Sequence, residues 1–183
     1  MDYSAMRLFL SEENIRMHLE YLNKQRLIYS ILQKSYPKLT DDIKMVYQQN
    51  LPREIKKEAL TLLCDIKSHE LFFNSFINPL TKCKNIKKFY SSEERLIYEV
   101  YLLAKNNTHG FIYICLDKNT VPTIQYRSEP FDIFIRYEPI LAFDLYEHTY
   151  FKDYGFNRER FLGNSLGHLN LKVLDDRLIS IDN

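Results

Sequence analysis

The chain of 183 residues lacks the features that would place it in several common classes of protein. Its three cysteines are scattered without metal-ligand spacing, which favours reduced thiols and argues against a disulfide framework. No apolar run approaches the roughly 20 residues that span a bilayer. The 25 basic residues nearly balance the 24 acidic ones, so the charge gives no case for a nucleic-acid or anionic-membrane partner.

What the chain does have is the composition of a folded protein. Hydrophobic residues make up 45% of it, which is typical of a globular chain with a sizeable core. The first residues include acidic side chains and lack both an apolar signal core and an Arg/Ser-rich presequence. We therefore expect a cytoplasmic protein, with a mitochondrial protein that carries a processed or internal targeting signal as the alternative.

The first half of the chain has the pattern of a helical hairpin. From Ser11 onward apolar side chains recur at spacings of three and four, prolines interrupt the pattern near its middle, and a second long helix is predicted over 55–76. His18 and His69 then lie on two antiparallel helices, with side chains able to face each other. We predict that this hairpin forms an N-terminal domain over residues 1–80.

The second half combines helices with short strands and is predicted to form an α/β domain over residues 81–183. The expected strands cover residues 111–116, 121–126 and 139–143. The expected helices cover residues 86–89 and 92–105, a segment after the third strand, and residues 164–179. The predicted fold class is α+β, with a three-stranded antiparallel sheet following the helical hairpin.

The most informative stretch is Asp-Leu-Tyr-Glu-His-Thr-Tyr-Phe at residues 144–151. An aspartate at the end of a strand and a histidine in the first turn of the next helix can converge on one cation. Carboxylate oxygen and imidazole nitrogen together suit iron, manganese or zinc. Taken alone, Asp144 and His148 at this spacing favour a metal site and a chance match about equally.

This stretch resembles the signature of the iron/manganese superoxide dismutases, with Tyr146 where tryptophan or phenylalanine is usual. Further segments resemble that family in the same order along the chain. Residues 10–18 are similar to its first helix, and residues 68–74 are similar to its Asn-His-Ser-Phe-Phe-Trp segment. Residues 157–158 and 166–171 are similar to its Asn-x-Arg-Pro and Trp-Asn-His-Val-Asn-Trp segments.

The resemblance implies a mononuclear iron or manganese site, one per chain, between the two halves. The protein ligands that it implies are His18, His69, Asp144 and His148. Three neutral imidazoles and one carboxylate can hold the metal in both its 2+ and 3+ states. The implied reaction is the disproportionation of superoxide to O2 and H2O2. The resemblance further implies that Glu147 reaches across a twofold interface to His148 of the partner subunit, and hence a homodimer.

Several positions depart from the family's pattern around the substrate channel. The channel tyrosine, eight residues after the first ligand, is Arg26 here, and the channel histidine, four residues after it, is Leu22. The tyrosine that hydrogen-bonds that histidine across subunits corresponds to Phe151. Because both polar partners are replaced, neither is left buried and unpaired. The result is an apolar gateway, and we expect slower proton delivery during turnover.

The glutamine that tunes the metal's solvent ligand in this family is missing from its usual places. The position used by the iron type holds Asp65, and the position used by the manganese type aligns most simply with Arg127. Gln125, two residues earlier, is the candidate replacement if the hairpin lost more residues. Arg158 matches an arginine at the channel mouth that would attract superoxide, although a plain surface arginine is the alternative.

Tryptophan is absent, whereas the family's active site is lined with it. Other aromatic residues stand at the matching positions, which preserves most of the aromatic volume around the metal: Phe73, Phe111, Tyr113 and Tyr146. We therefore expect a superoxide dismutase. The alternative is a non-catalytic subunit of the same fold in a larger assembly, such as the small subunit of the mitochondrial ribosome. The altered channel favours this alternative, and the complete ligand set opposes it.

Overall fold

The computed structural model describes residues 3–77 and 82–179. Within them the helices are α1 (Glu12–Ser35), α2 (Ile43–Gln48), α3 (Arg53–Asn74), α4 (Glu93–Asn106), α5 (Ile133–Arg136), α6 (Glu147–Tyr154), α7 (Arg158–Ser165) and α8 (Leu171–Ile179). The strands are β1 (Phe111–Leu116), β2 (Pro122–Arg127) and β3 (Glu138–Asp144). The predicted α+β class, with a helical hairpin followed by a small antiparallel sheet, is confirmed.

The hairpin consists of α1 and α3, which pack against each other. Helix α1 starts where predicted, because the Ser11 hydroxyl caps it by accepting a hydrogen bond from the Asn14 N–H at 3.2 Å. Helix α3 begins directly after Pro52, a residue that is suited to a helix start. The connection contains α2, which the sequence pattern did not predict and which Asp42 caps through the Met45 N–H at 3.0 Å.

The sheet has the strand order β2-β1-β3 with both pairings antiparallel. Strand β1 is central, and all six of its residues are buried, so it lies in the core between its neighbours. Its first residue, Phe111, pairs with Arg127 on one side and with Asp144 on the other. This register places the last residue of β3 at the start of the central strand.

The prediction of one continuous helix over 164–179 is wrong. Helix α7 ends at Ser165, a 3-10 turn follows at Leu166–His168, and α8 begins at Leu171. The backbone between them pairs instead with the end of the hairpin: Ile77 N donates to His168 O at 2.9 Å, and Asn170 N donates to Ser75 O at 2.8 Å. Backbone groups that pair with another segment cannot also continue a helical ladder.

Aromatic side chains join the hairpin to the sheet. The Phe72 ring on α3 is fully buried and lies 5.2 Å from Phe76 and 6.4 Å from Phe143 on β3, measured between ring centroids. Phe143 in turn stacks on Phe161 of α7 at 5.5 Å. Helices and sheet therefore share one core.

Cys64, Cys83 and Cys115 are all buried, and none of them forms a disulfide. In the part of the chain that the structure describes, helices long and apolar enough to cross a bilayer are absent.

Candidate metal centre

Side chains from four separate segments meet in the interior between the hairpin and the sheet. They belong to His18 on α1, His69 on α3, Asp144 at the end of β3 and His148 in the first turn of α6. One ligand atom from each lies within 4.8 Å of all the others. The Asp144 Oδ2 atom is 3.3, 3.5 and 3.3 Å from the Nε2 atoms of the three histidines in that order.

These separations fit a shared cation. Two ligand atoms that are each about 2.1 Å from one ion lie roughly 3.0–3.6 Å apart when they subtend angles of about 90–120°. The Nε2 atoms of His69 and His148 are 3.5 Å apart, which is also in this range. Asp144 Oδ2 and both ring nitrogens of His18 are buried without a hydrogen bond to any described residue. Because buried polar atoms without partners are costly, a cation at the centre of the cluster would account for Asp144 Oδ2 and His18 Nε2.

Asp144 is held in place by its neighbours in the backbone. Its Oδ1 accepts a hydrogen bond from the Tyr146 N–H at 2.8 Å, which leaves Oδ2 pointing toward the histidines. The next residue, Leu145, donates its N–H to Gly110 O at 2.9 Å. Gly110 has a φ of 89°, and a Cβ at this position would overlap the carbonyl oxygen of Arg127. A glycine is therefore required where β2 passes the start of β1.

His69 presents the correct ring nitrogen for metal binding. Its Nδ1 lies 2.8 Å from the Asp65 carbonyl oxygen, and since a carbonyl can only accept, Nδ1 must carry the proton. The Nε2 lone pair is thus free and points toward Asp144. Burial lowers the pKa of His69 to about 4 and also lowers the pKa of His18. Both rings are neutral at pH 7, as a metal ligand must be.

His148 and Asp144 shift each other's pKa in opposite directions. Burial alone would raise the pKa of Asp144, but contact with His148 and His18 outweighs it and holds that pKa below its usual range. Burial would lower the pKa of His148, but the nearby Asp144 carboxylate raises it. The His148 side chain is 36% exposed, whereas those of Asp144, His18 and His69 are fully buried. Solvent therefore reaches the cluster from the side of His148.

Aromatic rings surround the His/Asp cluster, although the four aromatic residues predicted there lie at different distances from it. Phe73 packs against His18, Phe111 meets His69 edge to face, and Tyr146 stacks on His148, with centroid distances of 5.0, 5.2 and 5.5 Å. Tyr113 lies behind Phe111 as seen from the cluster. It stacks on the Phe111 ring and shares a 2.6 Å hydrogen bond with the Ser68 hydroxyl.

The residue that the sequence reasoning missed is Tyr21, one turn after His18 on α1. Its ring centroid lies 5.1 Å from both His69 and His148. Its hydroxyl donates to Asp65 Oδ2 at 3.2 Å. Burial raises the pKa of Asp65 to about 6 and also raises the pKa of Tyr21. The signal in the sequence was the spacing of three residues from His18, which puts both side chains on one helix face.

A pocket of about 500 Å3 opens onto the cluster at His148. Met17, Tyr21 and Phe151 give it apolar walls, and Glu147 and Lys152 add charged groups. Leu22 is fully buried and Phe151 is 44% exposed, so neither offers a polar group to this opening.

The other departures from the family pattern lie outside the cluster. Arg26 points away and pairs with Glu70 at 2.9 Å. Gln125 donates to Thr123 Oγ1 at 2.9 Å and accepts from Arg127 at 3.2 Å, so its described hydrogen bonds run along β2. Its catalytic role stays a prediction.

Arg158 is the first residue of α7, and its side chain is half-buried. Its guanidinium donates a hydrogen bond to the backbone carbonyl of Asn107, just before β1. This contact ties α7 to the end of α4. Attraction of superoxide by Arg158 stays a prediction.

Comparison with known sequences gives a family match for the second half of the chain. The family profile described as "Iron/manganese superoxide dismutases, C-terminal domain" matches residues 80–177, which is more than half of the chain. The matched range contains Asp144, Glu147 and His148, whereas His18 and His69 precede it. A search of curated proteins gave no match.

Proposed function

Because the chain belongs to the iron/manganese superoxide dismutase family, we propose that it binds one iron or manganese ion and disproportionates superoxide. The observation that carries this proposal is the convergence of three imidazole nitrogens on Asp144 Oδ2 at 3.3–3.5 Å. The ligands in this proposal are His18, His69, Asp144 and His148.

A bound iron or manganese ion would supply the one-electron chemistry that oxidises one superoxide to O2 and reduces another to H2O2. The protein's part is to hold the ligands and to control access. Asp144 contributes one negative charge, which partly balances the ion. The pocket beside His148 is the route by which a small anion reaches the site, and its apolar wall at Phe151 supplies no protons.

Replacing one exposed histidine at a time tests the site. His148→Ala should abolish stoichiometric metal binding and reduce dismutation by more than about 100-fold, because even loss of a hydrogen-bond partner to a ligand costs roughly 10- to 100-fold. The measurements are elemental analysis after loading with iron or manganese and dialysis, and superoxide disproportionation per bound metal.

The matched control is His109→Ala, which removes another exposed imidazole outside the cluster. It should keep about one metal per chain and full activity. Loaded wild-type protein that disproportionates superoxide no faster than the same amount of free metal would rule out the proposed activity.

We also propose a homodimer in which Glu147 of each subunit hydrogen-bonds His148 of the partner subunit. Both side chains are exposed at the pocket. Among the described residues, His148 Nδ1 has no hydrogen-bond acceptor from its own chain, although metal-ligating histidines usually donate their second N–H to a carboxylate or carbonyl. A partner's Glu147 would fill that role, and twofold symmetry would make the contact twice.

Glu147→Gln should weaken this dimer. Loss of one buried charge-assisted contact costs about 2 kcal/mol or more, and two contacts together correspond to a roughly thousand-fold rise in the dissociation constant. Sedimentation across a concentration series measures it. Glu159→Gln is the control, since Glu159 is an exposed carboxylate on α7 that pairs with Lys105. Equal dissociation constants for both variants would exclude Glu147 from the interface.

A non-catalytic subunit of a larger assembly is the second candidate. It is favoured by the channel replacements Leu22 and Phe151 and by Asp65 and Arg127 at the two positions where the family has its glutamine. Elemental analysis of protein purified from its native source distinguishes the two functions. About one transition metal per chain supports the dismutase, and metal-free protein in a large particle supports the scaffold.

A further inference from the structure

A hydrogen bond and a close charged contact connect the wall of the pocket to one of the proposed ligands. The Tyr21 hydroxyl donates to Asp65 Oδ2 at 3.2 Å, and the other carboxylate oxygen, Oδ1, lies 3.4 Å from His69 Nδ1. His69 Nδ1 also donates to the Asp65 carbonyl at 2.8 Å. The Asp65 carbonyl accepts the hydrogen bond of this N–H, and the Asp65 carboxylate, held by Tyr21, lies beside the same N–H at 3.4 Å.

The surroundings show that this arrangement is specific to Asp65. Its side chain is only 20% exposed, and the Tyr21 ring packs on both His69 and His148. Another carboxylate on α3, Glu70, immediately follows His69 but turns away to pair with Arg26 and Lys67.

An acceptor on the outer nitrogen of a histidine changes what the inner nitrogen can do. A carboxylate beside the Nδ1–H draws the proton toward itself, which raises the electron density and donor strength of Nε2. A stronger donor stabilises the higher charge state of a bound metal more than the lower one. Hydrogen bonding around the ligands is one of the means by which proteins set a reduction potential.

We propose that Asp65, held by Tyr21, is a positioning residue that strengthens His69 as a ligand and favours the 3+ state of the bound metal. This inference rests on the metal site of the proposed function. It gives Asp65 a role opposite in sense to that of an amide side chain, because a carboxylate only accepts hydrogen bonds whereas an amide can donate them.

The test uses three single variants of the full chain and the double variant Tyr21→Phe/Asp65→Asn. Asp65→Asn keeps the shape and removes the charge, Tyr21→Phe removes only the hydroxyl, and Glu70→Gln removes a carboxylate from the same helix without touching His69. Affinity for Mn2+ is measured by competition with a chelator, and the midpoint potential of bound iron is measured by a spectroscopic redox titration.

Asp65→Asn should weaken Mn2+ binding by about 10- to 100-fold and shift the iron potential upward. Tyr21→Phe should shift both in the same direction by less, and the double variant should match Asp65→Asn, since Tyr21 acts through Asp65. Glu70→Gln should change neither quantity.

Two results would overturn the inference, and they differ in what else they exclude. A wild-type chain that binds no transition metal would remove both the metal site and the role of Asp65. A wild-type chain that binds metal and disproportionates superoxide, with unchanged affinity and potential in Asp65→Asn, would remove only the role of Asp65.

Discussion

Asp144→Asn is expected to lose both its bound metal and the thermal stabilisation that the metal provides. Free metal at about 100 times its dissociation constant adds roughly 2.7 kcal/mol to the free energy of unfolding. For a chain of this size each kcal/mol corresponds to about 2–4 °C, so loading should raise the Tm of the wild type by roughly 5–11 °C. The variant should show no such rise, because its amide lacks the charge that joins the three imidazoles. Differential scanning calorimetry with and without metal measures the difference.

Asp175→Asn is the control for this experiment. Asp175 is also a buried aspartate, but it accepts hydrogen bonds from the N–H groups of Lys84 and Ile86, at 2.9 and 3.1 Å, and takes no part in the cluster. This variant should lower the Tm of the metal-free and the metal-loaded protein alike and leave the difference between them unchanged. A normal metal-induced rise in Asp144→Asn would mean that the ion binds elsewhere.

Phe72→Ala should strongly lower the free energy of unfolding of the metal-free protein. The Phe72 ring is fully buried and contacts Phe76, Phe143 and the His18 ring, so its removal leaves a cavity where the hairpin meets the sheet. Such substitutions lower the free energy of unfolding by about 3–5 kcal/mol. The Tm of the metal-free protein should therefore fall by roughly 6–20 °C.

The same substitution at an exposed position provides the comparison. Phe156 is 94% exposed, so Phe156→Ala should change the free energy of unfolding by no more than about 0.5 kcal/mol. Chemical denaturation of both variants without metal measures the two costs. Similar costs at the two positions would contradict the placement of Phe72 in the shared core.

Much of the fold was predictable because its signals are local. The predicted strand 111–116 agrees with β1, and the helix predicted over 55–76 agrees with α3 (Arg53–Asn74) to within two residues at each end. Periodicity and capping are properties of neighbouring residues, and they act wherever the segment lies. The closing helix over 164–179 failed because the backbone at His168 and Asn170 pairs with a segment about 90 residues earlier in the chain. Local patterns carry no information about such a partner.

The candidate site likewise has some features that follow from the local sequence and others that depend on tertiary contacts. Asp144 and His148 lie four residues apart across a strand-to-helix junction, so their proximity follows from the chain itself. The sequence also determined which side chains are chemically able to hold a metal. Only the tertiary structure decided that Tyr21 reaches Asp65, that Arg26 pairs with Glu70 outside the cluster, and that His148 is the cluster residue open to solvent. These contacts join different helices, and they depend on how the helices cross and on which rotamers the shared core allows.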